Sequence, residues 1–335
     1  MPTLEDDKLV FRFPEIDWES SFSIDFQRTL RIPDTEETYP LPPGLGSFPL
    51  RHVEDYRNCL PEQMATRGGV VLPMWQAEAM WINFKSAEFI WDSEFPVAIK
   101  IAAGKINAVT GEVWRPHLHR GPQDYVVSTE QPWLDGFAIA KGVIRQFVAM
   151  PLGSSYSVEE QLTGSGQWGG LQISVTPLKA SVWNRIKGER RSASDLVTHD
   201  CKSEASTMGL AAGGRMDQSI YPDPFQLDDW DITKTDRVFV SLVHAKDWKG
   251  ITGENAPNEP PTAEDYTSWG LPWFKYYGND QQALEGAPVL ANVHSLAAIF
   301  KEKTGTTLPN SKHIDTIFVT TIGPRSVSGS GKWDF

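Results

Sequence analysis

The chain has 335 residues and a formal net charge of −12, with 40% hydrophobic and 22% charged residues. Those proportions describe a globular protein, and the excess of acid argues against nucleic acid and anionic membrane surfaces, which need clustered Lys and Arg. No stretch approaches about 18 uncharged apolar residues, the opening MPTLEDDKLVF shows no basic-then-apolar leader, and two cysteines, Cys59 and Cys201, are no disulfide framework, so a cytoplasmic setting is expected. Thirteen tryptophans are the compositional surplus.

In chain order, Phe22 to Ile32 comes first. Phe22, Ile24, Phe26, Leu30 and Ile32 alternate with polar residues, and only Arg28 breaks the apolar side. Period two over that length predicts a half-buried strand. A proline-rich connection follows, from Pro40 to Pro49. Residues 54–67 predict a short helix interrupted at Pro61, and Gly69 to Met74 a strand. Trp75 to Phe84 fits either helix or strand. Further strands are expected at Pro96–Ala103, Lys105–Val109, Tyr125–Thr129, Val143–Met150 and Gly170–Leu178. Ser157-Val-Glu-Glu160 has capping-box spacing.

Arg185 to Asp195 is basic and polar and marks the expected boundary between a lobe at 1–190 and a loop-rich α+β lobe at 191–335, with one continuous domain as the other possibility. Residues 196–235, with Gly209, Gly213 and Gly214, read as loop. Val238–His244 predicts a central strand, 250–262 an irregular segment, Pro288–Lys303 one long helix and Ile314–Ile322 a last strand. About nine or ten strands at short spacing, with few helices, predict a mainly β fold. An antiparallel sandwich or jelly-roll-like core with long loops and one C-terminal helix is the expected form.

Several runs together resemble a family of hypothetical proteins of fungi and bacteria. They include Phe26-QRTLRIP-Asp34, Tyr39-PLPPGLGSFP-Leu50, Pro73-MWQAEAM-Trp81, Lys105-INAVTG-Glu112 and Pro122-QDYV-Val127. Gln131-PWLDG-Phe137, Ile144-RQFVAMPL-Gly153, Met208-GLAAGGR-Met216 and Gly270-LPW-Phe274 continue the resemblance over most of the chain. It implies no activity and no functional residues.

Two runs carry chemistry. In Gly111-EVWRP-His117-Leu-His119-RGPQ-Asp124, an extended backbone would point both imidazoles to one face, and Asp124 would complete a two-His, one-carboxylate set for iron, manganese or zinc. The spacing is similar to the first cupin motif but has Asp for Glu, and Tyr156 stands where a final His ligand would be. The alternative is a pair of loop histidines.

Tyr266, Trp269, Trp273, Phe274, Tyr276 and Tyr277 crowd one segment. Exposed, they could stack on sugar rings or anchor a partner; buried, they are a loop folded under its own side chains, which is the favoured reading. Gln131-Pro-Trp133-Leu-Asp135-Gly reads as a turn anchored by tryptophan. Gly164-Ser-Gly166-Gln-Trp-Gly169 matches the dinucleotide glycine pattern but precedes a strand, so it reads as a turn. The acidic loop Asp223, Asp228, Asp229, Asp231 and Asp236 reads as a solvated cap of neighbouring elements, the alternative being a calcium site without EF-hand order, since Lys234 holds the glycine position, and His244 reads as a satisfied core histidine, the alternative being a ligand.

Two functions are therefore expected. The first is a non-enzymatic binding or self-assembly protein, without cofactor, that uses aromatic loops to hold a protein or glycan partner or copies of itself. The second is a metal-dependent oxygenase or isomerase of cupin type.

Overall fold

The computed structural model describes residues 2–86, 94–187, 207–276, 283–316 and 318–322. The chain is mainly antiparallel β, as its short apolar periods predict. The principal strands are β1 (Lys8–Arg12), β2 (Ser21–Thr29), β3 (Val70–Met74), β4 (Ala79–Ser86), β5 (Val97–Ala103), β6 (Trp133–Leu134) and β7 (Gly136–Ala140). They continue with β8 (Val143–Pro151), β9 (Leu171–Pro177), β10 (Thr207–Asp217), β11 (Asp236–His244), β12 (Trp273–Tyr276) and β13 (Val319–Ile322). The helices are α1 (Glu62–Arg67), α2 (Val158–Thr163), α3 (Ala180–Lys187), α4 (Ala245–Thr252), α5 (Ala263–Ser268), α6 (Pro288–Ala291) and α7 (Leu296–Thr304). None of them is long and apolar enough to cross a membrane.

Three ribbons share one hydrogen-bonded sheet. In the first, β2 lies between β1 and β4. In the second, β8 pairs with β7 and, from Val143↔Asp217 to Pro151↔Met208, with β10. In the third, β9 lies between β5 and β11, and β3 adds in parallel to β11. Short ladders join them at two corners: Met80 and Ala79 against Phe147 and Val148, and Thr207 and Met208 against Val243 and Leu242. Corners this short let the sheet turn, so the ribbons close over a common core. Phe22, Phe26 and Ile82 enter it from the first, Phe137, Phe147 and Leu210 from the second, and Ile99, Ile173 and Val240 from the third.

β10 and β11 lie beyond residue 191 yet pair with β8 and β9, so the sheet crosses the expected boundary. Residues 188–195 of the basic run and Cys201 lie outside the described residues, as does the Gly-Ser tract near the C-terminus.

Several local expectations change. The supposed loop around Gly209, Gly213 and Gly214 is the strand β10. A Cβ on Gly213 would meet Val148 Cγ2 at 2.5 Å, and one on Gly214 would meet Pro33 O at 2.4 Å. These glycines mark close approach of a neighbouring chain, which is one of the two meanings of glycine in a strand. β9 is buried on both faces, with Gln172 at 4% and Thr176 at 1% exposure, because its polar side is also covered. The single C-terminal helix is two. Gln161 Oε1 accepts from His294 N–H at 2.9 Å and Gln161 Nε2 donates to His294 O at 3.1 Å, which hold the break open, while Ser295 caps α7.

Arg28, the break in the apolar side of β2, is buried against Glu78 at the start of the β4 hairpin. Its guanidinium lies 2.6 Å from Glu78 Oε1, and Trp75 N–H donates to Glu78 Oε2 at 2.8 Å. Arg28 also donates to Asn258 O at 2.5 Å, tying down the proline-rich 256–262 segment. Burial outweighs the arginine and holds the Glu78 carboxyl up at about 7. Removing one partner of a buried pair strands the other's charge, at a cost of about 3–5 kcal/mol. Arg28→Met should therefore lower urea stability by that amount at pH 8, and by less at pH 5, where Glu78 is protonated with or without the arginine. An equal loss at both pH values would contradict the pairing.

Candidate functional site

The crowded aromatics divide. Tyr266 and Trp273 are core: Trp273 is fully buried, the two rings meet edge-on at 6.1 Å, and both pack with Leu30, Ile32 and Tyr39. Tyr266 O–H donates to Pro272 O at 2.8 Å, and Trp273 Nε1–H to Thr267 Oγ1 at 3.2 Å. Trp269, at the end of α5, is 61% exposed. Phe274 is half-buried and exchanges backbone hydrogen bonds with Leu41. Tyr276 lines a cavity. Tyr277 lies outside the described residues.

The His-x-His run is not a strand, which corrects the shared-face geometry. His117 has φ of +60° and is exposed, so it does not share a strand face with His119. Asp124 is already occupied. Its carboxylate lies 2.6 Å from the buried Lys100 ammonium, accepts from His119 N–H at 2.9 Å and sits 3.0 Å from His119 Nδ1. Lys100 also donates to Arg115 O and His117 O, both at 2.7 Å. A cation of the chain's own thus stands where a metal would have to stand. Burial lowers the Lys100 pKa, against the pull of Asp124. Among the described residues no group of three or more His, Cys, Asp or Glu side chains is placed to hold a metal ion.

The other motifs have structural partners. Glu159 accepts from Trp168 and Gly169 N–H, which closes the glycine-rich turn. Asp223 accepts from Tyr125 O–H at 2.5 Å and Trp230 Nε1–H at 2.9 Å, and Asp231 caps Thr233. His244 accepts from Lys246 N–H at the start of α4 and is partly exposed. It borders a cavity of about 290 Å³ with Trp75, Glu78 and Glu259. The buried carboxylate there, Glu78, is committed to Arg28.

A cavity of about 260 Å³ lies beside Tyr276 and Trp133. Its wall is aromatic: Trp133 and Tyr276 meet edge-on at 4.7 Å, and Trp81 backs Trp133 at 6.5 Å. Its polar lining comes from Asp217, Ser219, Tyr221 and Lys275. Trp133 is rigidly set. Gln131 and Gln218, both buried, donate to its carbonyl at 3.0 and 3.2 Å. Its indole N–H donates to Asp135 Oδ2, and Asp135 N–H donates to Gln218 Oε1 at 2.9 Å. Gly136 permits this seat, since a Cβ there would lie 1.9 Å from Arg145 O on β8. Aromatic faces beside hydroxyl, carboxylate and ammonium groups suit a small ring that carries hydroxyls.

The sequence singled out Tyr276 and the Trp133 turn separately. It gave no sign of Tyr221, Asp217 or Ser219, which arrive from the end of β10, a segment read as loop. No family model, no curated protein and no solved structure matches this chain.

Burial pushes the Asp135 carboxyl up to about 7, against the indole bond that favours its charge. A carboxyl that holds its proton more tightly folded than unfolded makes stability fall as pH rises from about 4 to about 7, and the deficit persists above that. Asp135→Asn keeps an acceptor for the indole and removes the titration. It should raise urea stability by between about 2 and 4 kcal/mol at pH 8 and change it little at pH 4. Equal effects at both would show that folding does not raise the Asp135 pKa.

Proposed function

We propose that the chain is a non-catalytic, cytosolic binding protein that holds a small hydroxylated ring, of the sugar type, against Trp133 and Tyr276. The observation that carries this reading is the edge-on pair at 4.7 Å lining a cavity of about 260 Å³ with Asp217, Ser219, Tyr221 and Lys275. One flat face gives apolar contact to the C–H side of a sugar, and the polar groups answer its hydroxyls. The held indole lowers the ordering cost of binding.

Self-association is a second reading, supported by one surface. Trp269 at 61%, Leu271 at 41% and Phe318 at 57% are exposed apolar side chains. They adjoin, because Trp273 N–H donates to Phe318 O at 2.7 Å and Gly270 lies next to the Phe318 ring. Exposed apolar groups that adjoin mark contact surfaces. Light scattering of Trp269→Ser against the parent would show a smaller particle if this surface pairs copies, and no change if it does not.

The sugar reading is tested by calorimetric titration with glucose, mannose and N-acetylglucosamine. At least one should bind saturably, and Trp133→Ala and Tyr276→Ala should each weaken it at least about tenfold, or 1.4 kcal/mol. Saturable binding that neither variant alters would place the ligand elsewhere. No saturable heat with any of the three would reject the sugar assignment.

A further inference from the structure

A third cavity, of about 210 Å³, shares no residue with the Trp133 cavity and has the opposite chemistry. Its lining alternates cations with rings. Lys105 Nζ lies 4.5 Å from the Trp168 ring centre, and the Arg67 guanidinium lies 5.6 Å from Trp168 and 5.9 Å from Phe239. Arg237 lies 4.7 Å from Phe239 and 5.0 Å from Trp114. Three cations and three rings thus form one unbroken ladder, in a chain of net charge −12, and Lys100, paired with Asp124, extends it at 5.2 Å from Trp114.

Among the described residues no carboxylate comes within ion-pair distance of Arg67, Lys105 or Arg237. Their hydrogen-bond acceptors are neutral. Arg67 donates to Gln63 O at 3.1 Å and Trp168 O at 2.6 Å, and Arg237 donates to the Gln172 amide oxygen. Glu159 is the nearby acid that acts on Arg67 and Lys105, and its Oε2 is spent on the Trp168 and Gly169 amides. Burial lowers the Arg237 pKa with no opposing charge. Finally, the Trp168 indole N–H is buried and has no hydrogen-bond partner. Buried polar groups are usually satisfied, so an orphaned donor calls for an explanation.

Ring faces ease the crowding of like charges, but each such contact contributes only about 0.5–2 kcal/mol. They leave the positive charge in place. Arginine and lysine around aromatic surface are what a flat organic anion needs, with charge-assisted bonds for its acid group and apolar surface for its ring. The size agrees, since pockets for drug-sized molecules start at about 300 Å³. We infer that this cavity binds a small aromatic carboxylate, its acid group on Arg67, Lys105 and Arg237 and its ring against Trp114 and Trp168. The site goes beyond the sugar reading and does not depend on it.

The test uses the full chain and two pairs of probes: benzoate with benzamide, and 2-naphthoate with 2-naphthamide. Binding is followed by calorimetry and by tryptophan fluorescence. The carboxylate of at least one pair should bind saturably and at least tenfold more tightly than its amide, and should weaken as salt rises. Lys105→Met and Arg237→Gln should each weaken that binding at least fivefold, while the melting temperature of the unliganded variants shows whether they remain folded. If a variant unfolds, Lys105→Gln and Arg237→Ala take its place, with the same expectation. Equal affinity for acid and amide, affinity unchanged in the folded variants, or no saturable binding of either carboxylate would overturn the inference. The last result would leave the ladder a purely structural device.

Discussion

A long loop stays on a β core only if something covers its apolar side and answers its polar groups, and here tryptophan does both. Trp75 Nε1–H donates to Pro257 O at 2.8 Å, Trp183 to Asp17 at 2.9 Å and Trp230 to Asp223 at 2.9 Å. Trp133 holds Asp135 and Trp273 holds Thr267 in the same way. The N–H of Trp75 and of Trp183 fastens a distant segment, while that of Trp133, Trp230 and Trp273 closes its own loop. A buried aromatic of this kind costs about 3–5 kcal/mol to truncate, and the bond adds direction. The candidate sugar cavity follows from one such anchor. Trp133 is fixed by its own loop, so its face is presented rather than collapsed.

The same economy governs charge. Several carboxylates are fastened inside: Asp124 to Lys100, Glu78 to Arg28, Asp223 to Tyr125 and Trp230. Asp124 is held by the chain's own ammonium, and Glu78 by an arginine that also ties the 256–262 segment. Cations left over gather on aromatic faces. Arg67, Lys105 and Arg237 therefore make a positive locality that the net charge of −12 conceals.

Local order was legible where period and punctuation are local. Phe22 to Ile32 announced β2, Ser157-x-x-Glu160 announced the capped α2, and Val238 to His244 announced the central β11. It failed where a residue's meaning depends on what passes nearby. Gly213 and Gly214 signal a turn in one dimension and a close crossing in three. The His117-x-His119 spacing suggested a chelating face, but a left-handed backbone at His117 and a lysine from a strand far back in the chain cancel it. The helix expected over Pro288–Lys303 breaks before the Ser295 cap of α7, where distant Gln161 bonds the His294 backbone.

The sequence by itself determined the class of fold, through alternation and turn residues, and the surplus of aromatic anchors. Those properties are additive along the chain, so a linear reading recovers them. Only the tertiary structure decided which aromatics are exposed and which charges find partners. Trp273 and Tyr276 are three residues apart, yet one is sealed in the core and the other borders a cavity. Trp114, Trp168 and Phe239 come from three distant segments, and only the Arg237 contact with Phe239, two residues on along β11, is legible within one of them. Burial and ion pairing are pairwise properties of remote residues, fixed by the closing of the ribbons over their common core.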